Sequence, residues 1–137
     1  MNISSRCEYA TRAIIELALH AQSQELLTSV VIAERRHIPE KYLVHILLQL
    51  KRAGLVRSVR GAQGGYTLGR SPGEITLLDI VRAIDGPVLD PLPVDDVQSA
   101  ELKTAWQDVA TRIEDILRET TVREIVDGLS ASNMYYI

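Results

Sequence analysis

Apolar residues in the first third of the chain recur at helical spacing, then alternate, then return to helical spacing. Tyr9, Ala13, Ile14, Leu17 and Ala18 form one stripe. Ser5 stands where an N-cap belongs, and Glu8, three residues on, completes a capping box. The pattern breaks near Ser23. Thr28 or Ser29 then opens a short helix through Val30, Val31, Ile32 and Ala33 that ends near Arg36. His37-Ile38-Pro39 is a turn, with Ile38 as its apolar residue and Pro39 suited to the first turn of a third helix. That helix runs to Ala53, with Gly54 as its stop. Leu43, Ile46, Leu47 and Leu50 make its inner face. Glu40, Lys41, Val44, His45, Leu48 and Gln49 make the outer one.

Two short β-type runs come next, Leu55 to Val59 and Tyr66 to Leu68, separated by the glycine-rich Arg60-Gly61-Ala62-Gln63-Gly64-Gly65. A helix pair followed by a hairpin with a cationic tip predicts a winged helix–turn–helix. Thr76, with Asp79 in the capping-box position, opens a further helix through Leu77, Ile80, Val81 and Ile84. Pro87, Pro91 and Pro93 exclude regular structure from the segment after it. Then Leu102, Trp106, Val109, Ile113, Ile116 and Thr120 alternate at spacings of four and three in a long helix from about Ser99 to Thr120. That alternation belongs to a helix packed along another helix. A short helix from Val122 to Gly128 and a tail ending in Tyr135, Tyr136 and Ile137 complete the chain. The fold class expected is mostly α with a small β-hairpin. Residues 1–85 form the winged helix–turn–helix, 86–98 a linker, and 99–137 the long dimerisation helix and C-terminal tail.

Composition adjusts this picture in three ways. The net charge of −3 conceals a division. Residues 1–70 hold ten Lys or Arg against five Asp or Glu, whereas residues 71–137 hold five against thirteen. The basic half coincides with the winged motif, as an electrostatic footprint on phosphate requires. The single cysteine, Cys7, excludes an internal disulfide and any zinc site built on paired cysteines of one chain. No apolar run approaches the roughly 18 residues of a membrane span, and no hydrophobic signal core follows the start, so a cytoplasmic protein is expected.

Nothing in the sequence supports catalysis: no nucleophile–base pair stands at recognisable spacing, no phosphate loop precedes a helix, and the three histidines lie apart. Candidate chemistry lies instead in DNA contacts. Lys41 can reach phosphate or guanine, Val44 a thymine methyl, and His45 guanine or phosphate. Arg60 at the hairpin turn suits a minor groove, and Gly61, Gly64 and Gly65 allow positive φ and close approach. Arg57 is a phosphate contact or a solvated side chain. Leu102, Trp106, Val109, Ile113 and Ile116 form the dimer seam.

The runs Ile38-Pro39-Glu40-Lys41-Tyr42-Leu43, Leu50-Lys51-Arg52-Ala53-Gly54-Leu55-Val56, Val59-Arg60-Gly61, Gly64-Gly65-Tyr66 and Ile75-Thr76-Leu77-Leu78-Asp79-Ile80-Val81 resemble the Rrf2 family of bacterial transcriptional regulators, and the likeness covers essentially the whole chain. It implies a homodimer whose long helices cross and whose winged modules grip a pseudo-palindromic operator on double-stranded DNA. It makes Arg60 the minor-groove arginine of the wing. Val44 departs from the glutamate common at its position. Many members hold an iron–sulfur cluster on cysteines between the fourth and fifth helices. Here the segment from Gly86 to Ala100 has none, and no cofactor is expected. Glu8 stands where some members supply a carboxylate ligand.

The character is thus that of cluster-free, CymR-type repressors of cysteine metabolism. Such members sense cysteine supply through O-acetylserine sulfhydrylase (cysteine synthase), which makes Tyr135, Tyr136 and Ile137 a candidate partner segment. Three alternatives stay open at this point. The tail packs on the dimer; a redox or cluster-based regulator uses Cys7 and Glu8, the helix N-terminus lowering the thiol pKa; or an adaptor keeps the fold without binding DNA.

Overall fold

The computed structural model describes residues 2–89 and 100–135, the last six of these by backbone alone. Six α-helices and a two-stranded antiparallel hairpin are seen among the described residues. They are α1 (Ser5–Leu19), α2 (Ser29–Arg36), α3 (Glu40–Arg52), β1 (Val56–Val59), β2 (Gly65–Leu68), α4 (Leu77–Asp85), α5 (Ala100–Glu119) and α6 (Val122–Tyr135). A 3-10 turn at Pro72–Glu74 precedes α4. The architecture is the mostly helical winged helix–turn–helix expected.

The core gathers around α1 and α3. Leu43, Ile46, Leu47 and Leu50 of α3 are completely buried, as are Ala10, Ala13 and Ile14 of α1. Each large side chain withdrawn in this way contributes about 1.5–3 kcal/mol. Ile32 of α2, Leu55 and Val56 at the start of the wing, and Ile75 and Ile80 around α4 join the same cluster. One carboxylate enters it. Glu16 is 6% exposed and accepts from Arg36 Nε at 3.1 Å, with His20 Nε2 at 3.3 Å and Arg35 at 3.7 Å. That ion cluster ties α1 to the end of α2, and its hydrogen bonds offset the cost of burying the charge.

Local chemistry sets the element ends. Thr76 and Asp79 form the reciprocal capping box at α4, as their spacing predicts. At α1 the cap is Ser4, not Ser5. The Ser4 hydroxyl accepts from Cys7 N at 3.0 Å and donates to Asp85 at 2.6 Å. Moving the cap back by one residue takes Glu8 out of capping-box reach, and it pairs with Arg12 at 2.8 Å instead. α6 does not end near Gly128 but continues to Tyr135.

The last part of the chain returns to the common core. Thr120 O accepts from Leu77 N, and Val122 N donates to Ile75 O. Val122 is fully buried, and α6 packs on α1 and on the 3-10 turn. Segment 99–137 is therefore not all arm and tail, because α6 shares the core of the winged motif. α5 differs. It rests on α4 through the Arg82–Glu114 ion pair at 2.7 Å and contains no buried residue.

Candidate nucleic-acid interface

The helix–turn–helix is α2 and α3, and the turn between them is tight. His37 takes the left-handed conformation (φ 53°, ψ 49°) at the end of α2. Ile38 N donates to Ala33 O at 3.0 Å, and the Ile38 side chain is buried as a plug between the helices. Pro39 is the N-cap of α3 rather than its first helical residue, and no side chain caps this end. The first amides of α3 are thereby left for solvent or a phosphate oxygen.

The outward face of α3 carries Lys41, Tyr42, Val44, His45 and Leu48, all exposed. Val44 is 51% and Leu48 43% exposed, an apolar row one turn long on a surface helix. The Lys41 ammonium lies 5.0 Å from the centroid of the Tyr42 ring. Beside this face is an open cleft of about 540 Å³ lined by Arg6, Tyr42, His45, Leu48, Gln49 and Arg52. Arg6 donates to Gln49 across it, bringing the start of α1 to the recognition helix. Arg6, Arg52 and Tyr42 escaped the sequence reading, because only the packing of α1 on α3 gathers them. A signal was present in the two arginines' position outside the apolar stripes.

On the other side of α3, a cleft of about 490 Å³ separates Thr28, Ser29 and Lys51 from the wing tip at Val59, Arg60 and Gly61. Arg60 is exposed and makes no ion pair or hydrogen bond among the described residues. Gly61 has a φ of +114° at the turn. Gly65 also has a positive φ, of +157°, whereas Gly64 does not, and both meet a demand for space. A Cβ on Gly64 would stand 2.1 Å from Val59 O, and one on Gly65 would stand 2.7 Å from Leu27 O. The second contact matters because Leu27 and Tyr66 exchange backbone hydrogen bonds of 3.0 and 2.7 Å. These bonds fasten the wing to the segment leading into α2. Arg57 does not face this cleft. It pairs in register with Thr67 and opens with it onto a separate depression at the base of the wing.

The matching family model, described as an iron-dependent transcriptional regulator, is Rrf2, and it covers residues 3–128. The chain belongs to the Rrf2 family. It is 35% identical to the HTH-type transcriptional regulator CymR of Bacillus subtilis, over the full length of both chains. The solved structure of CymR, the global cysteine regulator of B. subtilis, superposes with a TM-score of 0.80 at 31% identity, covering 93% of this chain and 97% of that one. The IscR structure of T. potens superposes with a TM-score of 0.79 at 33% identity, covering 99% and 97%. As an Rrf2 protein the chain is a DNA-binding transcriptional regulator. The relatives named above are transcriptional regulators.

Iron–sulfur chemistry does not fit the residues this Rrf2 chain offers. Cys7 is 2% exposed, and burial, then the charges of Asp85 and Glu8, push its thiol from an ordinary 9.0 up to about 11. The shift runs opposite to the lowering expected of a helix N-terminus. The buried thiol is thus favoured in its protonated form at neutral pH, and Glu8 is engaged by Arg12. Segment 86–98 supplies no thiol. Among the described residues no group of three His, Cys, Asp or Glu is arranged to hold a metal. No described helix is long and apolar enough to cross a membrane.

Of the seam residues, Leu102, Trp106, Val109 and Ile116 are exposed on α5, the last at 64%. Ile113 is half-buried and lines a small apolar pocket with Ile3, Val81 and Leu117. Tyr135 ends α6 with its side chain outside the description, and Tyr136 and Ile137 lie outside the described residues.

Proposed function

We propose that this Rrf2 protein is a homodimeric repressor of sulfur and cysteine metabolism genes that works without an iron–sulfur cluster. The cysteine inventory carries the reading: one buried thiol, and none between α4 and α5, in a chain similar over its full length to a cysteine regulator. The row of exposed apolar residues on α5 supports the dimer, since such a stripe in water needs a partner. Two α3 helices brought together in this way enter successive major grooves of a pseudo-palindrome. Lys41, Val44 and His45 face the base edges, with Val44 against a thymine methyl. Arg60, with the Gly61, Gly64 and Gly65 backbone, enters the flanking minor groove, while Arg6 and Arg52 meet phosphates. The proposed signalling partner is cysteine synthase, through Tyr135, Tyr136 and Ile137.

The test is fluorescence anisotropy on promoter fragments of cysteine-biosynthesis genes, using protein purified anaerobically and assayed for iron. Salt-dependent, sequence-selective binding by iron-free protein is expected. Selective binding only by an iron-loaded, coloured form would overturn the cluster-free reading. A peptide of residues 128–137 titrated into cysteine synthase tests the partner separately.

A further inference from the structure

We propose that the base of the wing holds a second site, a cleft for a small oxyanion such as a polyphosphate or a tricarboxylate. The cleft has a volume of about 570 Å³, within the range of roughly 300–1,000 Å³ typical of small-ligand sites. Its walls are the α1–α2 loop, the outer face of the hairpin, the 3-10 turn and the start of α6. Three arginines line it: Arg57 from β1, Arg70 just after β2, and Arg123 from the first turn of α6. Thr67, Ser71 and Gln24 place two hydroxyls and an amide between them, and no carboxylate lines the cleft.

Two of the three charges are uncompensated among the described residues. Arg57 and Arg123 make no ion pair or hydrogen bond among the described residues. Arg70 is partly compensated, with Asp79 Oδ2 at 3.8 Å and a hydrogen bond donated to Ala53 O at 3.5 Å. Three cations around one depression repel each other, and an anion seated among them removes that repulsion. Guanidinium groups suit the task because their planar forks match carboxylate and phosphate oxygens. Arg123 also lies against the 3-10 turn. Its Nε is 3.2 Å from where a Cβ on Gly73 would stand, so the guanidinium lies close over that turn. Arg57 and Thr67 are register partners, which puts both on the cleft face of the hairpin.

The cleft shares no lining residue with either cleft flanking α3. This separation favours a small anion over the DNA backbone as its occupant. An anion held between Arg57 and Arg123 would join the wing to α6, which packs on α1. Its role as an effector of DNA binding rests on the function proposed above. Its binding does not, and is measured without DNA.

The experiment is isothermal titration of the full chain with pyrophosphate and with citrate, supported by amide shift mapping of the unsubstituted protein. At least one probe should bind and move the amides of Thr67, Ser71 and Gln24. Arg123→Gln and Arg57→Gln each remove a charge-assisted contact and should each weaken binding about tenfold or more. Absence of binding by both probes at millimolar concentration overturns the proposal, as does binding that survives both substitutions. The salt dependence of DNA binding is then compared between Arg123→Gln and the unsubstituted chain. An unchanged slope supports a small-anion site. A slope smaller by about one makes Arg123 a DNA phosphate contact and overturns it.

Discussion

α3 and α5 both carry an apolar stripe at helical spacing, and the fold treats the two stripes oppositely. The α3 stripe of Leu43, Ile46, Leu47 and Leu50 is wholly buried by α1, α2, α4 and the wing. The α5 stripe stays open to solvent along Leu102, Trp106, Val109 and Ile116. One helix is held by its own chain. The other touches it through α4 and leaves most of its apolar surface unused. Periodicity thus states that a face will be buried and is silent about by whom. The second, outer row on α3, Tyr42, Val44 and Leu48, extends the point. Apolar groups exposed on a helix that also carries a core stripe have a use outside the core.

The largest effect should come from cutting into the filled stripe. Leu47→Ala leaves a cavity in a fully packed site and should cost about 2–5 kcal/mol in chemical denaturation. A loss below 1 kcal/mol would mean the two helices are less different than described. Next comes the open stripe. Ile116→Asp should weaken self-association by at least about 2 kcal/mol, read by sedimentation equilibrium, while the far-ultraviolet circular dichroism of the chain is retained. Ile116 suits this test better than Ile113, whose half-buried side chain also packs near Val81. A wild-type chain that sediments as a monomer at micromolar concentration would break the comparison, because the α5 stripe would then need no partner.

Smaller effects sharpen the contrast between surface and core. Arg60→Ala should weaken operator binding by about 1–3 kcal/mol with stability unchanged. An equal loss on random DNA would identify a phosphate contact instead. Thr76→Ala removes the cap of α4 and should lower stability by about 1 kcal/mol without altering DNA affinity. Cys7 should be silent at neutral pH. Its thiol pKa is raised to about 11 from 9.0 in the folded chain. The stability gained from keeping it protonated is whole below pH 9 and falls away as pH rises towards 11. Native protein at pH 8 should accordingly react slowly with a disulfide reagent, and unfolded protein quickly.

The parts legible in the sequence are those governed by short-range rules. The turn His37-Ile38-Pro39, the α3 stripe, the hairpin and the Thr76–Asp79 box all follow from spacing and residue type. The errors occur where two adjacent residues can do the same job. Ser4 and Ser5 are both good caps, and the approach of Asp85 from α4 selects Ser4. Gly128 resembles a stop, yet α6 runs through it. A glycine in a helix costs about 1 kcal/mol, which the packing of α6 on α1 can offset. The separation of Arg57 from Arg60 was not legible either. They stand three residues apart, and the hairpin's register decides that one faces the base cleft and the other the tip.

The wing's attachment to the segment before α2 has a consequence for timing. Leu27 and Tyr66 are bonded through their backbones at a place where residue 65 must lack a side chain. If α3 and the wing read DNA as proposed, these bonds set their spacing before any duplex arrives. The configurational freedom that a loose hairpin would surrender on docking has already been surrendered during folding. In the complex proposed above, an operator whose grooves are spaced differently would be disfavoured by its shape before a single base edge is compared.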